Sequence, residues 1–198
     1  MLRPRGTPPT VAATLLLALA AVACAALLPS TSAAHPGPHG AGGAGDRQTA
    51  HDLRRARHAT RAFRDVASAR AAGYAPTGPC AEDPKYGGMG IHYANERLVA
   101  DGELDVTRPE ILVYQPRRGG GLRLGAIEYF QADADQELAT DADRPTLFGL
   151  PFDGPMLGHD AAMPVHYDLH VWLYRHNPAG KFAMWNPRVH CPGGPASP

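Results

Sequence analysis

The stretch Pro164 to Asn177, "PVHYDLHVWLYRHN", gathers three of the ten histidines of this 198-residue chain, and His166, Asp168 and His170 recur at every second position. Neutral imidazoles combined with a carboxylate suit zinc, iron, copper or manganese, and spacing alone does not choose among them. Similar residue types occur in three other places: His92 in "GMGIHY", Glu128 in "AIEYF" and His159 in "LGHD". Glu128 is notable because its strand alternation groups it with Leu122, Leu124, Ala126 and Phe130. A carboxylate on such an apolar face is costly unless it is paired, protonated or bound to a cation. These residues predict one divalent transition metal held by His92, Glu128, His166 and His170. Asp168 and His159 would serve as outer partners or additional ligands. A coordination position left open could activate water or dioxygen. The competing reading is a non-catalytic extracytoplasmic binding or structural module, in which the same side chains form a buried polar network or the floor of a ligand pocket. No G-x-S-x-G, phosphate loop or dinucleotide fingerprint is present, so nothing selects a reaction.

The element that carries the histidines decides how they can cooperate. Val165, Tyr167, Leu169, Val171 and Leu173 alternate with His166, Asp168, His170 and Trp172, a period of two over nine residues. That is the pattern of a strand with one apolar face. A helix would instead stack His166 and His170 one turn apart, as in helical zinc sites, but the Tyr, Val and Trp content favours the strand. In a strand, positions four apart are separated by about 13 Å. One of the two histidines would then be a ligand together with residues of neighbouring strands, and the other would need a bulge to join.

The remaining elements follow from periodicity and turn signals. Asp46 to Ala72 reads as one amphipathic helix, with Leu53, Ala56, Ala59, Phe63 and Val66 at helical spacing and Gly73 as its stop. Its seven arginines, interspersed with Asp52 and Asp65, read as a solvated face. "GGMGIHYAN", "EILVYQP" and "LRLGAIEYF" read as strands, the last two joined through the "RRGGG" turn. The glycines at 87, 88 and 90 permit close backbone approach. Gln131 to Pro164 is rich in Asp, Pro and Gly and reads as a long irregular segment. The sum is an α+β fold: a leading helix, then a mostly antiparallel sheet, with a small barrel as one way for the sheet to close.

Targeting and cysteine usage point outside the cytoplasm. Arg3 and Arg5 precede an unbroken apolar run from Val11 to Leu28, so residues 1–34 read as a signal peptide. Two exits compete. "AVAC" would lipidate Cys24, and "TSAA" would leave His35 as the new N-terminus. Either way the protein is exported, secreted or anchored as a lipoprotein on the outer face of the cytoplasmic membrane. Its membrane contact is then limited to the signal or a lipid on Cys24. Residues 35–45, "HPGPHGAGGAG", read as a disordered spacer, and 46–198 as one domain. Cys80 and Cys191 remain as the thiols of that domain, and an exported chain predicts a disulfide between them. Removing Arg3 and Arg5 from 19 basic residues leaves 17 against 19 acidic ones, a formal charge of −2. That balance holds no excess for a nucleic-acid backbone.

"GGMGIHYAN", the segment from Glu128 to His159 and "MPVHYDLHVWLYRHNPAGKFAMWNP" together resemble a family of exported bacterial proteins, chiefly actinobacterial, of uncharacterised activity. The resemblance covers roughly Ala59 to Cys191. The chain is more distantly similar to bacterial domains that combine a Met-Gly-x-His strand, a Gly-His-(Glu/Asp) loop and a His-aromatic-Asp-aromatic-His strand. His92, His159 and the trio His166, Asp168 and His170 match those positions, with Leu169 in place of the second aromatic. The resemblance implies that these residues belong together and implies no particular reaction.

Overall fold

A computed structural model describes residues 42–159 and 163–192. The predicted signal peptide, the lipidation candidate Cys24 and most of the spacer lie outside these residues. In chain order the elements are helix α1 (Gly42–Thr60), a 3-10 turn (Arg61–Arg64) and helix α2 (Val66–Ala71). Short strands β1 (Ala75–Pro76) and β2 (Ala81–Asp83) precede β3 (Gly87–Ala94) and helix α3 (Glu96–Asp101). Then come β4 (Ile111–Pro116), β5 (Leu122–Ala132), β6 (Thr146–Leu147), β7 (Leu150–Pro151), β8 (Asp153–Met156) and β9 (His166–Val171).

The helical stretch differs from the single helix expected over 46–72. It begins at Gly42, inside the predicted spacer, and breaks at Asp65. Asp65 adopts extended backbone and its carboxylate accepts from Ala67 N at 3.2 Å and from Ser68 Oγ at 3.0 Å. An aspartate that caps a new helix in this way satisfies donors that a continuous helix would use internally.

The main sheet runs β1-β3-β4-β5-β9-β8, with β2 also paired to β3, and its pairings are antiparallel. The order does not close on itself, so the sheet is open and the barrel alternative is not realised. The segment expected to be irregular supplies β8, whose Asp153 and Met156 face Asp168 and His166 of β9. Its "DGPM" composition hides it, because glycine and proline are tolerated at a sheet edge and read as turn residues.

The two faces carry separate cores. On one, Leu53, Ala56, Phe63 and Ala69 of the helical segment pack on Tyr93, Leu112, Tyr114, Ile127, Tyr129, Leu169 and Val171. The buried tyrosines on this side anchor loops and turns through their hydroxyls: Tyr74 donates to Pro109 O at 2.7 Å, Tyr129 to Val106 O at 2.8 Å and Tyr114 to Phe63 O. Burying an aromatic ring is favourable only if its polar end finds such a partner. On the other face Met89, Ile111, Val113, Ala126, Phe130, Trp172 and Val189 form a smaller core, covered by Met184 and Trp185. The C-terminal segment that provides this cover is tied to β3 by Gly88 N, which donates to Val189 O at 2.8 Å. A Cys80–Cys191 disulfide holds its end, with Cα atoms 5.7 Å apart.

One irregularity changes which residues share a face. Val113 faces Ala126 but Tyr114 faces Leu124, so Gly125 is an extra residue in β5. The bulge reverses the alternation: Leu122 and Leu124 join the helix-covered core, while Ala126 and Phe130 join the smaller one. The expectation that all four share a face with Glu128 is therefore corrected by this bulge, a two-against-one count that local periodicity does not reveal.

Candidate metal centre

The smaller core is where the histidines lie. Glu128 faces Ile111 on one side and His170 on the other, and His92 enters from β3, paired with Val113. Cross-strand partners point to the same side of a sheet, so register alone brings the three side chains to one face. Gly90 helps set this register. Its φ is +127° and a Cβ there would meet Tyr114 O at 2.3 Å, so only glycine lets β3 approach β4 two residues before His92.

His92 Nε2 lies 3.2 Å and His170 Nε2 lies 3.3 Å from the same oxygen, Oε2 of Glu128. One ligand atom from each residue falls within 4.8 Å of the other two. The rings of His92 and His170 stand edge to face, 5.9 Å apart. Glu128 is 5 % exposed and His170 1 %, whereas the His92 side chain keeps 17 % of its surface and lies nearest solvent. Despite the short separations, Glu128 Oε2 and both ring nitrogens of His170 are buried without a hydrogen-bond partner. Both separations are ion-pair distances, so protonated rings would offset the charge of the carboxylate. With neutral rings, the same three converging atoms are what a cation requires. Two ligands at about 2.1 Å in tetrahedral arrangement would be separated by about 3.4 Å, close to the two nitrogen–oxygen distances.

Asp168 stands behind His170, with Oδ1 3.7 Å from Nδ1. This oxygen is also buried and unpartnered. The placement leaves Nε2 of His170 for the cluster and gives the ring a carboxylate on its far side, the usual arrangement of a metal-bound histidine. The electrostatics couple Glu128 and His170 as groups of opposite charge. Burial acts to raise the Glu128 carboxyl, but the charges of His170 and His92 outweigh it and hold it well below its ordinary range. Burial acts to lower His170, and Glu128 and Asp168 outweigh it and push the imidazole up.

His166 and His159 are not brought into this cluster. His166 shares the face of Asp168 and His170, but it lies four positions along β9 and faces Ala132 instead of Glu128. Its ring stacks on Phe130 at 5.0 Å, and its Nδ1 lies 3.1 Å from Pro164 O. The ring of His159 meets that of His166 edge-on at 5.6 Å. The structure therefore brings together three of the four expected ligands and leaves His166 apart, because β9 is regular through both histidines and no bulge shortens the span between them.

A second buried carboxylate, Glu110, was not singled out by sequence. It ends the turn before β4, is 1 % exposed, and its Oε2 accepts from Phe130 N at 3.1 Å. Burial pushes its carboxyl up to about 8, from an ordinary 4.5. A raised carboxyl binds its proton more tightly when folded, so it removes stability as pH rises from 4.5 towards 8. Glu110→Gln keeps the acceptor and removes the charge. Urea unfolding is expected to show it on the order of 2 kcal/mol more stable than wild type at pH 7, with little difference at pH 4.5. Equal stabilities at both pH values would show that Glu110 ionises normally.

No family model matches the chain, and neither a curated protein nor a solved structure matches it.

Proposed function

We propose that this is an exported bacterial protein that binds one divalent transition metal through His92, Glu128 and His170, with Asp168 orienting His170. The observation that carries the reading is convergence: one ligand atom each from His92, Glu128 and His170 lies within 4.8 Å of the other two in a largely buried site. Two histidines and one carboxylate suit zinc and non-haem iron, and also admit copper or manganese. Three protein ligands leave coordination positions free, and His92 is the partly exposed member at which solvent or a small ligand would arrive. A metal with an open position can polarise a bound water or substrate oxygen. Export is supported by the disulfide, which persists in oxidising compartments.

Metal analysis of protein purified without a histidine tag tests the reading. Close to one equivalent of a transition metal is expected, as purified or after titration, and less than about a tenth with no uptake would overturn it. Asp168→Asn supplies a graded test, because it retains the three ligands and weakens only the carboxylate behind His170. Competition with a chelator is expected to show affinity reduced about 10–100-fold. Unchanged affinity would remove Asp168 from the site.

A further inference from the structure

The β4–β5 hairpin and the C-terminal segment border an open-sided cavity of about 570 Å³ whose wall carries Arg117, Arg118, Arg123, Arg175 and Arg188. The chain as a whole has equal numbers of basic and acidic residues, so this concentration is not a by-product of composition. The five come from the turn, from β5 and from two separate stretches after β9, so only the fold assembles them. Among the described residues none of the five takes part in an ion pair. Glu82, which contacts the lining residues His190 and Cys191, is engaged there, with Oε1 3.0 Å from His190 Nδ1 and Oε2 accepting from Cys191 N at 2.8 Å. Clustered guanidinium groups repel one another unless an anion lies between them.

Two buried groups in the wall also lack partners. Gln115 is 3 % exposed, and neither its Oε1 nor its Nε2 has a hydrogen bond. The bulge residue Gly125 makes room for this amide, since a Cβ there would meet Gln115 Nε2 at 1.9 Å. Arg175 donates through Nη2 to Arg188 O, while its Nε is buried and unpartnered. Burial, together with the charges of Arg123 and Arg188, pushes the Arg175 guanidinium below its ordinary range.

We propose that this cavity binds a phosphorylated small molecule, its phosphate held by the arginines. Guanidinium forks match the oxygens of phosphate bidentately, and several of them suit a multiply charged anion better than a single carboxylate. The cavity lies within the range of about 300–1,000 Å³ typical of small-molecule sites, so there is room for more than the phosphate group. The wall is braced by the Cys80–Cys191 disulfide and by Gly88 N donating to Val189 O, so it is formed before a ligand arrives. This inference does not rest on the metal centre.

Isothermal titration of the oxidised protein at physiological salt provides the test, using inorganic phosphate, pyrophosphate, glucose 6-phosphate and citrate as probes. A saturable heat is expected for glucose 6-phosphate or pyrophosphate, with citrate at least roughly tenfold weaker. The exposed pair Arg123→Gln/Arg188→Gln is expected to weaken binding by roughly tenfold or more, judged on protein whose circular dichroism is unchanged. The control pair Arg61→Gln/Arg64→Gln, which removes the same charge from the helical segment, should leave it within about twofold. No saturable heat with any phosphate probe overturns the proposal, as does equal weakening by both pairs. Citrate binding more tightly than every phosphate probe would overturn the assignment to phosphate.

Discussion

Glu128→Gln is expected to abolish stoichiometric metal uptake, because it replaces the one anionic donor that both imidazoles share. In the wild-type arrangement Oε2 lies 3.2 Å from His92 Nε2 and 3.3 Å from His170 Nε2. An amide oxygen of the same shape can accept a hydrogen bond but brings no charge to offset a dication. Metal content is expected to fall below about a tenth of an equivalent under conditions that load wild type. Thermal unfolding supplies a second readout. At a free metal concentration about a hundredfold above the dissociation constant, wild type should gain about 2.7 kcal/mol that the variant does not.

The metal-free proteins should differ as well, with a predictable sign. The lowered Glu128 carboxyl contributes stability that is present above its ordinary 4.5 and lost as the pH falls further. The raised His170 imidazole contributes stability that is complete below its ordinary 6.5 and lost as the pH rises past it. The cost of Glu128→Gln without metal should therefore be greatest between these two values. Breaking a buried pair by removing one partner costs about 3–5 kcal/mol, which is the size to look for near pH 5.5. Metal binding itself should strengthen as pH rises, because the metal displaces the proton from His170. A variant that binds metal like wild type would exclude Glu128 as a ligand.

Removing the disulfide is the second large effect. Cys80→Ser/Cys191→Ser opens a connection spanning 111 positions. The chain-entropy model sets an upper size of about 4.7 kcal/mol for a loop of this length, and about 2–4 kcal/mol is the usual result. For a domain of this size that is a fall of roughly 5–15 °C in Tm. The loss should be concentrated in the C-terminal segment. That segment crosses Gly88, places Val189 in the smaller core and carries Trp185 over it. Hydrogen exchange of the reduced protein should show protection lost first between Asn186 and Cys191. The comparison needs only calorimetry with and without reductant, and an unchanged Tm would show that packing alone holds this segment.

Much of the candidate site is legible from local pattern. The alternation from Val165 to Leu173 places His166, Asp168 and His170 on one side of a strand, and strand rise already implies that the two histidines cannot both reach one ion easily. Glu128 stands out because a carboxylate in a run of apolar residues asks for a partner. The disulfide follows from two thiols in a chain read as exported. Other features were hidden for identifiable reasons. Asp65 reads as part of a helix face until its carboxylate is seen capping a second helix. The edge strand Asp153–Met156 is disguised by glycine and proline, and Glu110 looks like an ordinary solvated glutamate ahead of a strand.

By itself, the sequence determined that His166, Asp168 and His170 share one face of a strand, because side-chain direction along a strand repeats every two residues. Only the tertiary structure decided that His170 and not His166 meets Glu128, because register between strands distant in sequence is set by pairing across the whole sheet. It also decided that Leu124 and Ala126 face opposite cores, and that five arginines from separate segments surround one cavity. A single inserted residue at Gly125 reverses every side chain on one side of it. Periodicity read locally averages over such an insertion, and only the partner strand reveals where it falls.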